Sequence, residues 1–262
     1  MRRALLCTAG VMALSVPAAP AGADQSLSVT LSNSRPGKGT TVTIDVSPSS
    51  DQGSGGESPR SVLVRAARGF MLDRRAVAKL CTPQQAQGNA CPSESRIGGG
   101  TANVTVSSAV VPPTHLTAQI DLYLGPPSHP GDLAAIVAHF KEPKSDTQGS
   151  STGRVFKESA GPFGLDTRFD TAQSFKPPQG FTVHLDRLHV SLGAHRTVRV
   201  KVKQKKTRHG KKKHGPKYKH VTVNLITTPR TCSGSWPYEV RVGYPDGHET
   251  VTGGSVACSR AT

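Results

Sequence analysis

The most chemically distinctive stretch of this sequence is RVKVKQKKTRHGKKKHGPKYKHVTV at 199–223. Twelve lysines and arginines lie between positions 196 and 220, and no acidic residue interrupts them. This density of positive charge is typical of segments that bind polyanions, with an affinity that falls as salt rises because counterions are released. We therefore predict a polyanion-binding site formed by Arg199, Lys201, Lys203, Lys205, Lys206, Arg208, Lys211, Lys212, Lys213, Lys217 and Lys219.

The positive charge belongs to this segment rather than to the whole chain. Residues 24–262 hold 31 Lys and Arg against 17 Asp and Glu, and their net charge falls from +14 to +2 when 196–220 is left out. The partners that this predicts are anionic cell-envelope polymers, lipid headgroups, heparin-like glycans or nucleic acid. Sequence-specific recognition of nucleic acid is not expected, because Tyr218 is the only aromatic residue there that could stack on bases.

Alternating valines on both sides of the segment predict that it is a β-hairpin. Val198, Val200 and Val202 alternate with cations, and the returning arm carries Val221 and Val223. A register that sets Val200 opposite Val223 and Val202 opposite Val221 places all of them on one face. The same register brings lysines directly opposite each other further out, which disfavours pairing and predicts a frayed tip.

Two other interpretations of the basic segment stay open. A lysine-rich insertion can protect a sheet edge and keep a protein in solution, so that the arm would be incidental to a structural surface protein. Three histidines, His209, His214 and His220, are candidate metal ligands. The surrounding lysines repel cations, so we predict no metal and no cofactor.

Signatures of hydrolytic enzymes are weak in the sequence, because H-E-x-x-H is missing and the single G-x-S-x-G match, at 149–153, is not followed by a predicted helix. His184 with Asp186, and Asp166 with Asp170, share strand faces as acid–base pairs do. A polar outer face of a half-buried sheet explains both pairs equally well. A non-enzymatic protein is therefore favoured, and an extracellular hydrolase with an unrecognised site is the alternative. A deep cleft that holds His184 or His139 beside a carboxylate would favour the hydrolase.

The first 23 residues predict a secretory signal peptide, with Arg2 and Arg3 before an apolar run and small residues at 21–23. The apolar run is too short to span a membrane, so a secreted protein without a transmembrane span is expected, either free outside the cell or held at the cell envelope. Export places the remaining cysteines in an oxidising environment.

Four cysteines remain after residue 23, and three pairings of them are possible. We favour Cys81 with Cys91 and Cys232 with Cys258, because each pair is close in sequence and flanked by turn-forming residues. Each such bridge contributes roughly 3 kcal/mol in chain-entropy estimates. Trp236, the single tryptophan, is expected to pack on the second disulfide.

Short runs with a period of two recur along the chain, separated by Gly and Pro, and they predict an all-β antiparallel sandwich of the immunoglobulin-like or jelly-roll-like kind. The runs lie at 27–31, 41–46, 61–65, 101–110, 117–124, 134–140, 164–169, 181–190, 198–203, 221–226, 238–243 and 248–256. The prediction is one domain over 24–262, from which the basic hairpin at 196–222 protrudes.

Helices are expected only near Cys81. One is predicted over 73–80 with Asp73 as N-cap, and a second after Thr82, with Pro83 at its first position. The polar stretches 47–59 and 141–153 are predicted to be mobile loops. Asp246-Gly247 predicts a hairpin turn of type I′.

Two segments, CTPQQAQGNACPSESRIGGGTANV at 81–104 and TPRTCSGSWPYEV at 228–240, resemble parts of uncharacterised secreted proteins of actinobacteria. In those proteins a corner rich in Cys, Pro, Ser and Gly precedes a strand, and a Cys-Ser-Gly-x-Trp corner lies near the end. The resemblance implies an exported β-rich protein. It implies no activity and no functional residues.

Overall fold

A computed structural model describes residues 26–47, 59–110, 112–144, 146–159, 161–170, 180–202, 217–244 and 246–259. Its strands are β1 (Ser26–Leu31), β2 (Gly39–Thr40), β3 (Val42–Ser47), β4 (Ser61–Ala67), β5 (Met71–Leu72), β6 (Arg96–Ser108), β7 (Thr114–Gly125), β8 (Asp132–Glu142), β9 (Thr147–Phe156), β10 (Phe163–Asp170), β11 (Phe181–Leu192), β12 (His195–Val202), β13 (Lys217–Asn224), β14 (Ile226–Thr227), β15 (Ser235–Gly243) and β16 (Glu249–Ala257). Helix α1 is Pro83–Gln87, and short 3-10 helices span Arg74–Ala76 and Ser93–Ser95.

Eleven strands form one antiparallel sheet in the order β1-β3-β11-β6-β7-β8-β9-β10-β4-β15-β16. The sheet is nearly closed, so that its two edge strands, β1 and β16, lie near each other. This arrangement confirms the predicted all-β, antiparallel, sandwich-like class, and every predicted strand run overlaps an observed strand. The two halves of the fold are parts of one continuous sheet.

Strand β8 shows how burial follows from the sequence. Ala134 and Ile136 point into the main core, while Val137 on the opposite face packs against Cys81 and Ala86. Both faces of β8 are therefore buried, which explains its continuous apolar run. The segment tied by the first disulfide acts as a cover on the outer face of the sheet.

A small sheet of β2, β14 and β5 adjoins the core of the large sheet. Ile226 belongs to this small sheet, and Leu225 just before it is completely buried in the main cluster. Thr228, also completely buried, donates its hydroxyl proton to the Arg35 carbonyl at 2.6 Å and accepts from the Lys38 N–H at 3.0 Å. These bonds satisfy a polar group that would otherwise be costly to bury.

The prediction of a mobile loop over 141–153 is wrong, because most of this stretch belongs to β9, which pairs with β8 and β10. Gly149 lies opposite Phe140, and Gly153 lies opposite Phe169. A Cβ at either glycine would collide with the facing ring. The glycines that made this segment look loop-like are the residues that accept the rings of neighbouring strands. The other predicted loop, 47–59, lies mostly outside the described residues.

Both predicted helix caps are present. Asp73 accepts a hydrogen bond from the Arg75 N–H, but the helix that follows is a single 3-10 turn that ends at Ala76, well short of the predicted residue 80. Thr82 caps α1 in a reciprocal capping box with Gln85, as a Thr before Pro predicts.

The predicted cysteine pairs are confirmed, with Cα–Cα distances of 5.0 Å for Cys81–Cys91 and 5.9 Å for Cys232–Cys258. The predicted contact of Trp236 with the second disulfide stays a prediction. The tryptophan ring is buried and lies 5.6 Å from the ring of Phe70, edge to face. Its indole N–H donates to the Thr231 carbonyl at 3.0 Å.

The hairpin β15–β16 is confirmed, but its turn is not the predicted two-residue type. The Gly247 N–H donates to the Tyr244 carbonyl, and the Tyr244 N–H donates to the His248 carbonyl. Gly247 has a φ of 88°. These features are typical of a three-residue hairpin loop that ends in a left-handed glycine. The domain limits and the signal peptide stay predictions, and the signal peptide lies outside the described residues.

Candidate polyanion-binding hairpin

Strands β12 and β13 form a separate two-stranded antiparallel sheet, which carries the predicted cationic site. The observed register sets Val198 opposite Val221 and Val200 opposite Lys219. Both predicted pairings are therefore wrong by four residues along β13, since Val200 was expected opposite Val223. Because four is an even number, the valines of both strands still share one face.

The register is fixed at the base of the hairpin, where the chain enters the core. The Leu225 N–H donates to the Ala194 carbonyl at 2.7 Å. Val198 and Val223 pack with the buried Leu225 in the main cluster. Every even shift keeps the valines together, so alternation alone cannot select one register. The anchored base selects it.

Cationic side chains point to solvent from both faces of the outer half of the hairpin. On the face away from the valines, Arg199 lies opposite His220 and Lys201 lies opposite Tyr218, and all four are exposed. The guanidinium carbon of Arg199 lies 3.9 Å from the centroid of the Tyr218 ring, a cation–π contact. Lys219 is exposed on the valine face.

These hairpin cations have no carboxylate partner among the described residues. The lysines and arginines that form salt bridges there are Arg65, Arg75, Lys79, Arg96, Lys141, Arg154, Arg168, Arg187 and Arg241. None of them belongs to β12 or β13. Arg199, Lys201 and Lys219 are therefore exposed cations without an ion pair in the described ranges.

The remaining predicted site residues are placed as follows. Lys217 begins β13 opposite Val202. Lys203, Lys205, Lys206, Arg208, Lys211, Lys212 and Lys213 lie outside the described residues, as does the predicted frayed tip.

Sequence reasoning missed the contact between the hairpin base and the 3-10 helix Arg74–Ala76. The Arg196 guanidinium donates to the Val77 carbonyl at 3.3 Å, across 119 positions of sequence. Arg74 lies on this helix and is exposed. No local sequence signal links these residues, because their proximity depends on the packing of both elements against the core.

A second group of charges lies on the outer face of the large sheet, and we call it the charged belt. It consists of Asp132, Arg154, Asp166, Arg65, Glu239, Arg241 and Glu249. Arg65 joins Asp166 at 3.1 Å and Glu239 at 3.3 Å, and Arg241 joins Glu239 at 2.6 Å. Each cation in the belt has a carboxylate partner.

The carboxyl groups of the belt differ in pKa. Burial raises the pKa of Asp166, whose side chain is 2% exposed and whose Oδ1 has no hydrogen-bond partner. Burial also opposes ionisation of Glu239, but hydrogen bonds from Arg241 and Arg65 outweigh it and lower that pKa. The two hydrogen bonds from Arg154 lower the pKa of Asp132.

The structure brings His184 and Asp186 together, with 3.3 Å between Nδ1 and Oδ1. The Thr105 hydroxyl donates to the other carboxylate oxygen of Asp186 at 2.8 Å and lies 2.9 Å from Nδ1 of His115. The group lies on the outer face of the large sheet, and the His115 side chain is 81% exposed. It is an open polar surface rather than the deep cleft that the hydrolase alternative requires.

The other predicted acid–base residues lie apart. Asp166 bonds Arg65, whereas Asp170 bonds Arg168 at 3.3 Å. His139 is half-buried with Nε2 3.5 Å from the Cys91 sulfur, and burial lowers its pKa. Its cross-strand neighbour Asp121 bonds Arg96 instead, and no ion pair within 4 Å joins His139 to a carboxylate among the described residues.

Searches against protein-family models, curated proteins and solved structures each found no match to this chain. Within the described ranges, no helix is both long enough and apolar enough to cross a bilayer. The same part of the chain contains no group of three His, Cys, Asp or Glu residues placed to hold a metal ion.

Proposed function

We propose that this protein is exported and that it contacts anionic polymers through the β12–β13 hairpin. The observation that carries the proposal is the exposure of Arg199, Lys201 and Lys219, which have no carboxylate partner within the described part of the chain. Two disulfides are compatible with an oxidising environment outside the cytoplasm.

Charge and geometry together favour polymers over single small anions. The described cations lie on two strands and both faces, and nine more lysines and arginines lie between 196 and 220. Such an array neutralises several repeating anionic groups at once, and its affinity depends on the number of counterions released. The chemical class is therefore a flexible polyanion such as a sulfated glycan or a phosphate-rich cell-envelope polymer.

Retention on a heparin column tests the proposal. The variant Arg199→Gln, Lys201→Gln and Lys219→Gln removes three described cations of the hairpin and keeps all of its valines. We expect it to elute at clearly lower salt than the wild type. A second variant, in which residues 203–216 are replaced by Asn-Gly, should elute lower still, since it loses seven of the predicted site residues.

The matched control removes three exposed cations elsewhere, as Arg60→Gln, Lys144→Gln and Lys157→Gln. It has the same net charge as the hairpin triple variant, so a local site requires that it elute close to the wild type. If the salt concentration at elution falls equally for both triple variants, net charge alone causes retention. The incidental-arm alternative predicts that neither hairpin variant changes retention.

Export is tested separately by expression of the full chain in a secreting host. The proposal expects protein in the medium whose N-terminus is Asp24, as determined by mass spectrometry of the intact protein. A product that keeps Arg2 and Arg3 inside the cell would contradict export without bearing on polyanion binding.

A further inference from the structure

The space enclosed by the large sheet contains a cavity of about 100 Å³. Strands from both halves of the sheet line it, including the two edge strands, through Leu31 on β1 and Val256 on β16. The cavity is therefore a property of the whole nearly closed sheet, and it is distinct from the hairpin.

The lining of the cavity is almost entirely apolar. Trp236 and Phe70 contribute aromatic rings, and Val64 and Leu165 contribute aliphatic groups from neighbouring strands. Among the side chains around it, the Thr167 hydroxyl is one of the few polar groups. A buried water needs two to four polar partners, and this lining does not offer them.

An apolar cavity of this kind favours an apolar occupant. The atoms that line an empty space lose dispersion contacts, and the energetic cost grows with its volume. An engineered apolar cavity of about 150 Å³ stays dry and binds benzene or xenon. The present cavity is of the same order of size, and the aromatic rings of its lining, Phe70, Trp236 and Tyr238, offer edge and face contacts to the ring of a ligand.

The gap between the sheet edges offers a route into the cavity. No ladder of backbone hydrogen bonds joins β1 to β16 in the described sheet. The Tyr238 hydroxyl, which belongs to a cavity-lining residue, lies 3.4 Å from the Leu27 carbonyl across this gap. Just beyond these strands the Ser259 N–H also donates to the Ser34 carbonyl, and two isolated hydrogen bonds open more readily than a strand ladder does.

We propose that the interior of the large sheet binds one uncharged, single-ring apolar molecule, which enters between β1 and β16 and contacts Trp236. The inference is independent of the proposed polyanion binding, since none of the hairpin cations lines the cavity.

Trp236 is the only tryptophan of the chain, so its emission reports directly on the site. The experiment titrates the full mature protein with iodobenzene, whose heavy atom quenches indole fluorescence on contact. The proposal expects saturable quenching. Iodide, which is charged, should quench little because the ring is buried. Quenching by iodobenzene that rises linearly without saturation would overturn the proposal.

Two variants test the location of the ligand. Ala66→Leu adds a side chain to the cavity lining and should weaken iodobenzene binding at least tenfold, whereas Val251→Leu on the exposed side of β16 should leave it unchanged. If Ala66→Leu does not fold, Leu165→Ala serves instead, because it enlarges the cavity and should admit naphthalene. Equal binding of iodobenzene by Ala66→Leu and wild type, or no gain of naphthalene binding by Leu165→Ala, would overturn the proposed location.

Discussion

The charged belt and the β12–β13 hairpin both carry arginines on β-strands, but the two regions use them in opposite ways. In the belt, Arg65 is 16% exposed and bonds two carboxylates, and its guanidinium lies 4.6 Å from the centroid of the Phe163 ring. In the hairpin, Arg199 is exposed and its described contact is with a tyrosine ring. The belt uses charge to join strands, and the hairpin presents charge to solvent.

The difference shows why the total number of cations is a poor guide to a binding surface. The chain has 33 lysines and arginines, yet an arginine that is already paired must lose its carboxylate partner before it can bind another anion. Arg199, Lys201 and Lys219 have no carboxylate partner among the residues that the structure describes, so they require no such exchange. A polyanion should therefore select the hairpin even though the belt contains arginines as well.

The largest expected effect concerns Arg65, the least exposed arginine of the belt. Arg65→Met leaves the Asp166 carboxylate without its cation and should lower the free energy of unfolding by about 3 kcal/mol. The measurement is urea denaturation at pH 7. The control is Arg168→Met, whose partner Asp170 is 65% exposed. This variant should lower the free energy of unfolding by less than about 1 kcal/mol. Equal costs for the two variants would remove the distinction between buried and exposed pairs.

The pH dependence of the Arg65→Met variant sharpens this prediction. Without Arg65, burial and the negative charges of Glu158 and Glu239 act on Asp166 unopposed and raise its folded-state pKa further above the unfolded value. A raised folded pKa favours the folded state below the unfolded pKa, and this contribution is lost as pH rises through the folded pKa. The free energy of unfolding of the variant should thus differ less from that of the wild type near pH 4 than at pH 7. A difference that does not change with pH would show that the carboxylate is not its cause.

A smaller effect is expected for the ion pair of Asp132 with Arg154. Asp132→Asn removes charge-assisted hydrogen bonds to Arg154 and should cost about 2 kcal/mol at pH 7. Because the folded pKa of Asp132 is lowered, its contribution is present above the unfolded pKa of about 3.9 and is lost as pH falls through the folded pKa. The two unfolding curves should converge towards pH 2. Glu249→Gln, at an exposed belt residue, is the control.

The hairpin is expected to respond in binding rather than in stability. Replacement of Arg199, Lys201 and Lys219 by glutamine should reduce the slope of log affinity against log salt for a single-stranded oligonucleotide by about 2. Fluorescence anisotropy over a range of salt concentrations measures this slope. An unchanged slope would mean that these three cations release no counterions, and the contrast with the belt would fail.

The smallest effect concerns the ring that supports Arg199. An exposed cation–π contact contributes about 0.5 to 1 kcal/mol, so Tyr218→Leu should change the free energy of unfolding by no more than this. The salt slope should stay the same, because the variant keeps every charge. If the slope of log affinity against log salt falls by the amount that one cation contributes, Tyr218 positions Arg199 for binding. The matched control is Thr222→Val on the same face of β13.

Much of the fold could be predicted from sequence, and the errors share one physical origin. Strand β9 was mistaken for a loop because Gly149 and Gly153 resemble turn residues until the rings of Phe140 and Phe169 are placed opposite them. The hairpin register was missed because the buried Leu225, outside the repeating pattern, decides it. For the candidate site, the sequence predicted where the cations lie along the chain. It did not predict which of the described cations lack a described carboxylate partner.

By itself, the amino-acid sequence determined the all-β class, the strand positions, the two cysteine pairs and the segment that holds the excess charge. These features depend on alternation, proximity along the chain and composition, which are local properties. The tertiary structure alone decided the closure of the sheet, the apolar cavity, the hairpin register and the pairing within the belt. Arg65 and Asp166 are separated by 101 positions, and contacts over such distances exist only once every intervening strand has its place.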